Sequence, residues 1–165
     1  MTRRSPSERR FTAVVADASP DLLAYFERRV GADAADLLAD TLMVVWRRNN
    51  DLPLDAEAAR MWLFGVARNV LRNAARGEIR RHRVADALRD VVIGTARRED
   101  HAEAIAMRDL VDRLDPDLAE VITLAHWEGL TLVQIGQVLD VPASTVRGRY
   151  QRAKAALRVQ LSAVE

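Results

Sequence analysis

The chain of 165 residues is long enough for one domain or for two small ones if each is helical. It has no cysteine, which excludes disulfides and thiolate metal sites, and no apolar run of the length needed to cross a bilayer. A formal net charge of +1 hides a segregated pattern: residues 60–83 hold seven arginines against one glutamate and residues 143–158 five cations and no acid, while residues 31–59 and 111–142 are acidic.

The composition is rich in Ala, Leu, Arg, Asp and Val and poor in glycine and aromatics, which favours helices. The start lacks the apolar core of a signal peptide, which points to a cytoplasmic protein. A basic, serine-containing segment is expected to fray. Ser19-Pro20 then reads as an N-cap followed by proline at the first helical position, opening a helix to Val30 that stops at Gly31, with Leu22, Phe26 and Val30 as its buried stripe. A second helix, from about Asp33 to Arg48, is apolar around much of its circumference through Leu37, Leu38, Leu42, Val44, Val45 and Trp46, and should meet more than one neighbour. Asn49-Asn50-Asp51-Leu52-Pro53 breaks it, since Asn and Asp favour turns and the residue before proline is pushed out of the helical region.

A third helix is expected from about Ala56 to Arg83, with Met61, Trp62, Val66, Val70 and Leu71 on its apolar side. Residues 84–103 read as a linker and 104–165 as a second domain. In that domain Asp115-Pro116 caps a helix ending before Gly129, Thr131 caps a short one through Leu139, residues 140–143 turn, and a last helix runs from about Ser144 to Leu161. The expected fold class is all-α: two small helical domains, 1–83 and 104–165, joined by a linker.

Three patterns carry chemistry. Between Gly129 and Arg147, two helices joined by a four-residue turn must cross steeply, with Ile135, Leu139, Val141, Val146 and Tyr150 at the crossing and a small residue, Gly136, permitting close approach. On the last helix Val146, Tyr150, Ala153 and Leu157 should face inward, which leaves Ser144, Thr145, Arg147, Gly148, Arg149, Gln151 and Arg152 outward, a face suited to a DNA major groove. The second pattern is Arg68, Arg72, Arg76 and Arg80, spaced by four with Asn69 and Asn73 beside them. Like charges at that spacing repel, and an anion along the face relieves them. Trp62 and Phe64 lie upstream, so rings, amides and guanidinium groups occur together, a combination that suits unpaired bases, although Trp62 is as readily a core residue. The third is Asp33, Asp36 and Asp40 on one helical face, too few ligands for a metal and ordinarily a solvated acidic face. His82, His101 and His126 lack ligand spacing, and no nucleophile with a base and no phosphate-cradling loop occurs, so no catalytic residue, metal or cofactor is expected.

Taken together, these segments resemble a bacterial sigma factor of the extracytoplasmic-function (ECF) type, in the sigma-70 family. Residues 33–42 resemble the family's region 2 helix that docks on the polymerase clamp, 62–71 the segment that opens the minus-ten element, 49–55 the base-capturing loop, and 114–158 region 4, which reads the minus-thirty-five element. Ala35, Ala39, Asn73, Gln134 and Asp140 depart from the family pattern. The resemblance implies polymerase contacts at Asp33, Asp36, Leu37, Asp40, Thr41 and Met43. It implies minus-ten contacts at Asn49, Asn50, Asp51, Trp62, Arg68, Asn69, Arg72, Asn73, Arg76 and Arg80. Minus-thirty-five contacts would come from Thr131, Ser144, Thr145, Arg147, Gly148, Arg149, Gln151 and Arg152. The implied partners are core RNA polymerase, promoter DNA in double-stranded and melted form, and an anti-sigma factor, with no membrane segment of the chain's own. A stand-alone helix-turn-helix repressor or activator and a protein-interaction adaptor are the other readings, and neither needs the second basic face.

Overall fold

The computed structural model describes the backbone of residues 5–85 and 102–163, and side chains within 5–77 and 106–163. The linker expected at 84–103 falls almost wholly outside the described residues. Among those described, every regular element is helical: α1 (Pro6–Val30), α2 (Ala34–Arg47), α3 (Ala56–Ala85), α4 (Ala102–Asp112), α5 (Pro116–His126), α6 (Leu132–Leu139) and α7 (Ala143–Ser162). Short 3-10 turns at Gly31–Asp33 and Asn49–Asp51 join the first three. The chain divides into two compact units, within 1–90 and 91–165.

In the first unit α1, α2 and α3 pack against one another in all three pairings. Leu22, Tyr25 and Phe26 of α1, Val45 of α2, and Met61, Leu63 and Phe64 of α3 fill the centre. The rings set its geometry: Tyr25 meets Phe26 and Phe64 edge to face, with centroids 5.3 and 5.8 Å apart, the arrangement that brings the positive edge of one ring to the negative face of another. Arg29 covers the outer side of Tyr25 at 3.7 Å and donates to its carbonyl.

The expected start of α1 is wrong by more than three turns. Ser19 is no cap, for its hydroxyl turns back to the Val15 carbonyl at 2.6 Å and the helix passes straight through Pro20. The cap is Ser5, whose side chain accepts from Glu8 N–H while the Glu8 carboxylate accepts from Ser5 N–H at 2.7 Å, and Pro6 occupies the first turn. Two equivalent Ser-Pro signals therefore compete, and the earlier one has the glutamate three residues on that completes a capping box.

In the second unit α4, α5 and α7 bury Val111, Leu114, Ile122 and Ala153, with Leu118, Tyr150 and Leu157 packed around them. Thr131 and Gln134 form a reciprocal capping box on α6, glutamine serving at the third helical position as glutamate would. After α6 the chain reverses through Asp140, which adopts a left-handed conformation at φ 54°. The reversal folds residues 141–143 back against α6 so tightly that a Cβ on Gly136 would lie 2.8 Å from the Val141 carbonyl oxygen. No helix among the described residues is long and apolar enough to cross a membrane.

Gly136→Val is expected to destabilise the second unit by about 1–3 kcal/mol through overpacking. Asp140→Val is expected to cost at least ~1 kcal/mol more than Asp140→Gly, because a β-branched residue tolerates positive φ poorly. Urea unfolding of the three variants measures both effects.

Candidate nucleic-acid interface

On α7 the inward residues are Val146 and Ala153, fully buried, with Tyr150 and Leu157 partly covered. Ser144, Thr145, Arg147, Gly148, Gln151 and Arg152 are exposed. With about 100° of turn per residue, Ser144, Arg147, Gly148 and Gln151 fall within an arc of about 100°, with Arg152 about 40° beyond it. No acid interrupts this face. Thr131, at the start of α6, is exposed, but its oxygen already accepts from Gln134 N–H, leaving the hydroxyl proton to donate. Arg149 departs from the expectation that it points outward to DNA. It sits toward the flank of α7, and its guanidinium lies 2.7 Å from the Asp117 carboxylate of α5, tying the two helices together.

On α3, Asn69, Arg72, Asn73 and Arg76 are exposed. Arg68 is half-buried and already engaged with another group of the chain, because each step of four advances about 40° round the axis and carries this end of the stripe toward the core. Arg80 lies on the same helix with its side chain outside the described residues. Trp62 is half-buried at the edge of the bundle, with the Arg48 guanidinium 5.4 Å from its ring. Phe64 belongs to the core, only 1% exposed, so it adds nothing to an aromatic surface. In the turn that precedes α3, Asn49, Asn50 and Asp51 are exposed, and Asp51 pairs with Arg48 at 3.0 Å.

Asp33, just before α2, and the acidic residues of α2 face a groove of about 610 Å³ between α2 and the middle turns of α3, which Asn73 also lines. Asp33, Asp36, Asp40 and Met43 line it, with Val70 and Leu71 across from them. Leu37 forms part of its floor and is buried. Thr41 does not reach it: the side chain is wholly buried and donates to the Leu37 carbonyl at 2.7 Å, which removes it from any partner-binding surface. Helical spacing puts Thr41 one residue past Asp40, and that single step of about 100° is the difference between groove and core. No group of His, Cys, Asp and Glu among the described residues is arranged to hold a metal.

Sequence reasoning missed the first turns of α1 altogether. Arg10 donates from its guanidinium to the Pro53 carbonyl, and Phe11 packs edge to face on Trp46 at 5.3 Å, so α1 braces the loop ahead of α3. The signal was present in Ser5-Pro6-Ser7-Glu8.

Residues 104–157 match the family model for sigma-70, region 4. The chain is 29% identical over 136 residues to the ECF RNA polymerase sigma factor SigL of Mycobacterium tuberculosis, an alignment covering 79% of this chain and 75% of that one. It is 28% identical over 138 residues to the RNA polymerase sigma factor NccH of Alcaligenes xylosoxydans xylosoxydans, covering 79% and 74%. Over most of its length the chain is similar to RNA polymerase sigma factors of the ECF type. Its fold is shared with CnrH, solved in complex with the cytosolic domain of CnrY, at a TM-score of 0.61, 25% identity and coverage of 95% and 90%. The sigma factor RpoE of Bartonella quintana, solved with the anti-sigma factor NepR, has the same fold at a TM-score of 0.65 and 19% identity, covering 93% and 95%.

If this face of α7 is the one that enters a groove, Arg147→Ala and Arg152→Ala should each weaken binding of the protein to duplex promoter DNA by about 1–3 kcal/mol or lower the salt slope by about 1. Arg149→Ala should cost less than about 1 kcal/mol, since it breaks only a partly exposed ion pair. Fluorescence anisotropy over a salt series measures all three, and an Arg149→Ala loss as large as the others would return that residue to the groove.

Proposed function

We propose that this protein is an ECF sigma factor that binds core RNA polymerase and directs promoter-specific initiation, its first unit reading a melted minus-ten element and its second the duplex minus-thirty-five element. The observation that carries the reading is the presence of two basic faces on different units. One, on α7, is shaped as a recognition helix. The other, on α3, mixes arginines with exposed amides beside a half-buried tryptophan. Duplex DNA is read through groove edges by a helix such as α7, whereas unpaired bases need rings to stack on and amides to pair with.

Exposed Asn69, Arg72, Asn73 and Arg76 would hold the melted strand, and the turn Asn49–Asp51 would meet its bases. The groove flanked by Asp33, Asp36 and Asp40, with apolar Met43, Val70 and Leu71, fits a polymerase element that is basic and apolar together. Nothing in this scheme breaks a covalent bond, so the protein acts by positioning the polymerase and not as an enzyme. Its place of action is the cytoplasm, where polymerase and chromosome lie. An anti-sigma partner is supported by the solved complexes of CnrH with CnrY and of RpoE with NepR. A stand-alone repressor accounts for α7 and leaves the α3 face and the acidic groove without a use.

Size-exclusion chromatography with bacterial core polymerase, followed by transcription from a promoter library, tests the proposal. Co-elution with promoter-dependent transcript is the expected result, and tight duplex binding without co-elution would favour the repressor. The double charge reversal Asp36→Arg with Asp40→Arg is expected to abolish co-elution while duplex binding through α7 stays within about twofold, because the two sites lie on different units.

A further inference from the structure

We infer that Asp117 of α5 is a brake on DNA binding: it holds the Arg149 guanidinium off the phosphate backbone and lowers the chain's affinity for duplex DNA of any sequence. The inference rests on α7 being the helix that meets duplex DNA, as proposed above, and adds to it a regulating residue on a neighbouring helix. Of the arginines on α7, Arg147, Arg152 and Arg158 are exposed, and among the described residues none of them is in an ion pair. Arg149 is held 2.7 Å from the Asp117 carboxylate, its side chain 22% exposed against 58% for that of Asp117.

The position of Arg149 leaves it two directions to take. With Val146, Ala153 and Leu157 as the inward side, Arg149 lies about 60° round the helix from it and Arg152 about 120°. Thr145, one turn before, and Arg152, three residues on, are both exposed on the same flank. A long side chain rooted there either folds down onto α5 or swings out beside Arg152, and the Asp117 carboxylate selects the first. That carboxylate is itself held in place. Asp117 N–H donates to Asp115 Oδ1 at 3.0 Å in the first turn of α5, and the buried Val121, Ile122 and Leu124 fix the helix. A pair this exposed adds little to folding. Its effect falls instead on the charge left available to DNA. Each phosphate contact strengthens binding to every sequence alike and steepens the salt slope by about 0.9. A chain that must find few sites among a great excess of others is held up less on the rest by having one such contact fewer.

Fluorescence anisotropy of the full chain on a promoter duplex and on a scrambled duplex of equal length, over a salt series, tests the brake. Asp117→Ala is expected to bind both duplexes more tightly, with a salt slope steeper by about 0.9. Its advantage over wild type should therefore shrink about 3.5-fold between roughly 50 and 200 mM salt, while the ratio of the two affinities stays within about twofold. Asp117→Glu, which keeps the carboxylate, should match wild type. Added to Arg149→Ala, the Asp117→Ala change should leave affinity and slope as they are. Equal tightening in that background would mean that loss of any acid near the DNA suffices. Weaker binding, or an unchanged slope, for Asp117→Ala alone would mean that the pair only props α7. Either result overturns the brake while leaving α7 as the DNA-binding helix. Asp117→Asn takes the place of Asp117→Ala if the latter fails to fold by circular dichroism. Wild type that binds neither duplex overturns the reading of α7 itself, and the brake with it.

Discussion

A helix turns by about 100° with each residue, and in this protein α3 and α7 each build a core with one side and leave a basic face exposed on the other. Nearly every feature of the two units follows from that division. On α7 a step from Arg147 to Arg149 moves a guanidinium from the free face to a pairing with Asp117. On α3 the two residues from Trp62 to Phe64 carry a ring from the bundle's edge into its centre. A face that is both basic and ungapped is available only because the opposite side is apolar enough to fix the helix's rotation. Burying Val146 and Ala153 at zero exposure, and Phe64 close to it, provides that fixing.

The same periodicity explains how much of the molecule is legible in its residues. Long periodic segments such as α2 and α3 announce themselves, and so do α6 and α7, where Thr131, Gly136 and Asp140 each meet a local requirement that few other residue types satisfy. Side chains at the margin of a face are harder to place. Arg68, Arg149, Trp62 and Thr41 all sit near a boundary between core and surface, where a few tens of degrees and the identity of the neighbouring helix decide the outcome, and no pattern within one helix contains that information. The start of α1 was obscured for another reason: Ser5-Pro6 and Ser19-Pro20 are the same dipeptide, and proline is read as an opening even where a helix already in progress tolerates it.

Charge in the first unit is sorted by element and not averaged over the surface. Carboxylates of α2 converge on one groove, while exposed guanidinium groups of α3 stand on another side of the same helix that closes it. A single three-helix bundle thereby offers surfaces of opposite sign at short range, with Asn73 common to the acidic groove and the basic stripe. The near absence of lysine strengthens the arrangement, since planar guanidinium groups hold direction as well as charge.

The passage of α1 through Pro20 divides that helix in a way its continuous outline conceals. Proline has no amide hydrogen, so the Ala16 carbonyl one turn earlier loses its partner in the ladder and must be solvated at the exposed position it occupies. The turns before this gap are tied to the bundle by Phe11 on Trp46, Arg10 on Pro53 and the small buried Ala18, whereas those after it are anchored by the large, fully buried Leu22 and Phe26. With one ladder hydrogen bond missing and smaller side chains buried, the N-terminal half of α1 is expected to open at lower free energy than the rest, and amide hydrogen exchange along the helix should step at Pro20 in place of decaying smoothly from the end.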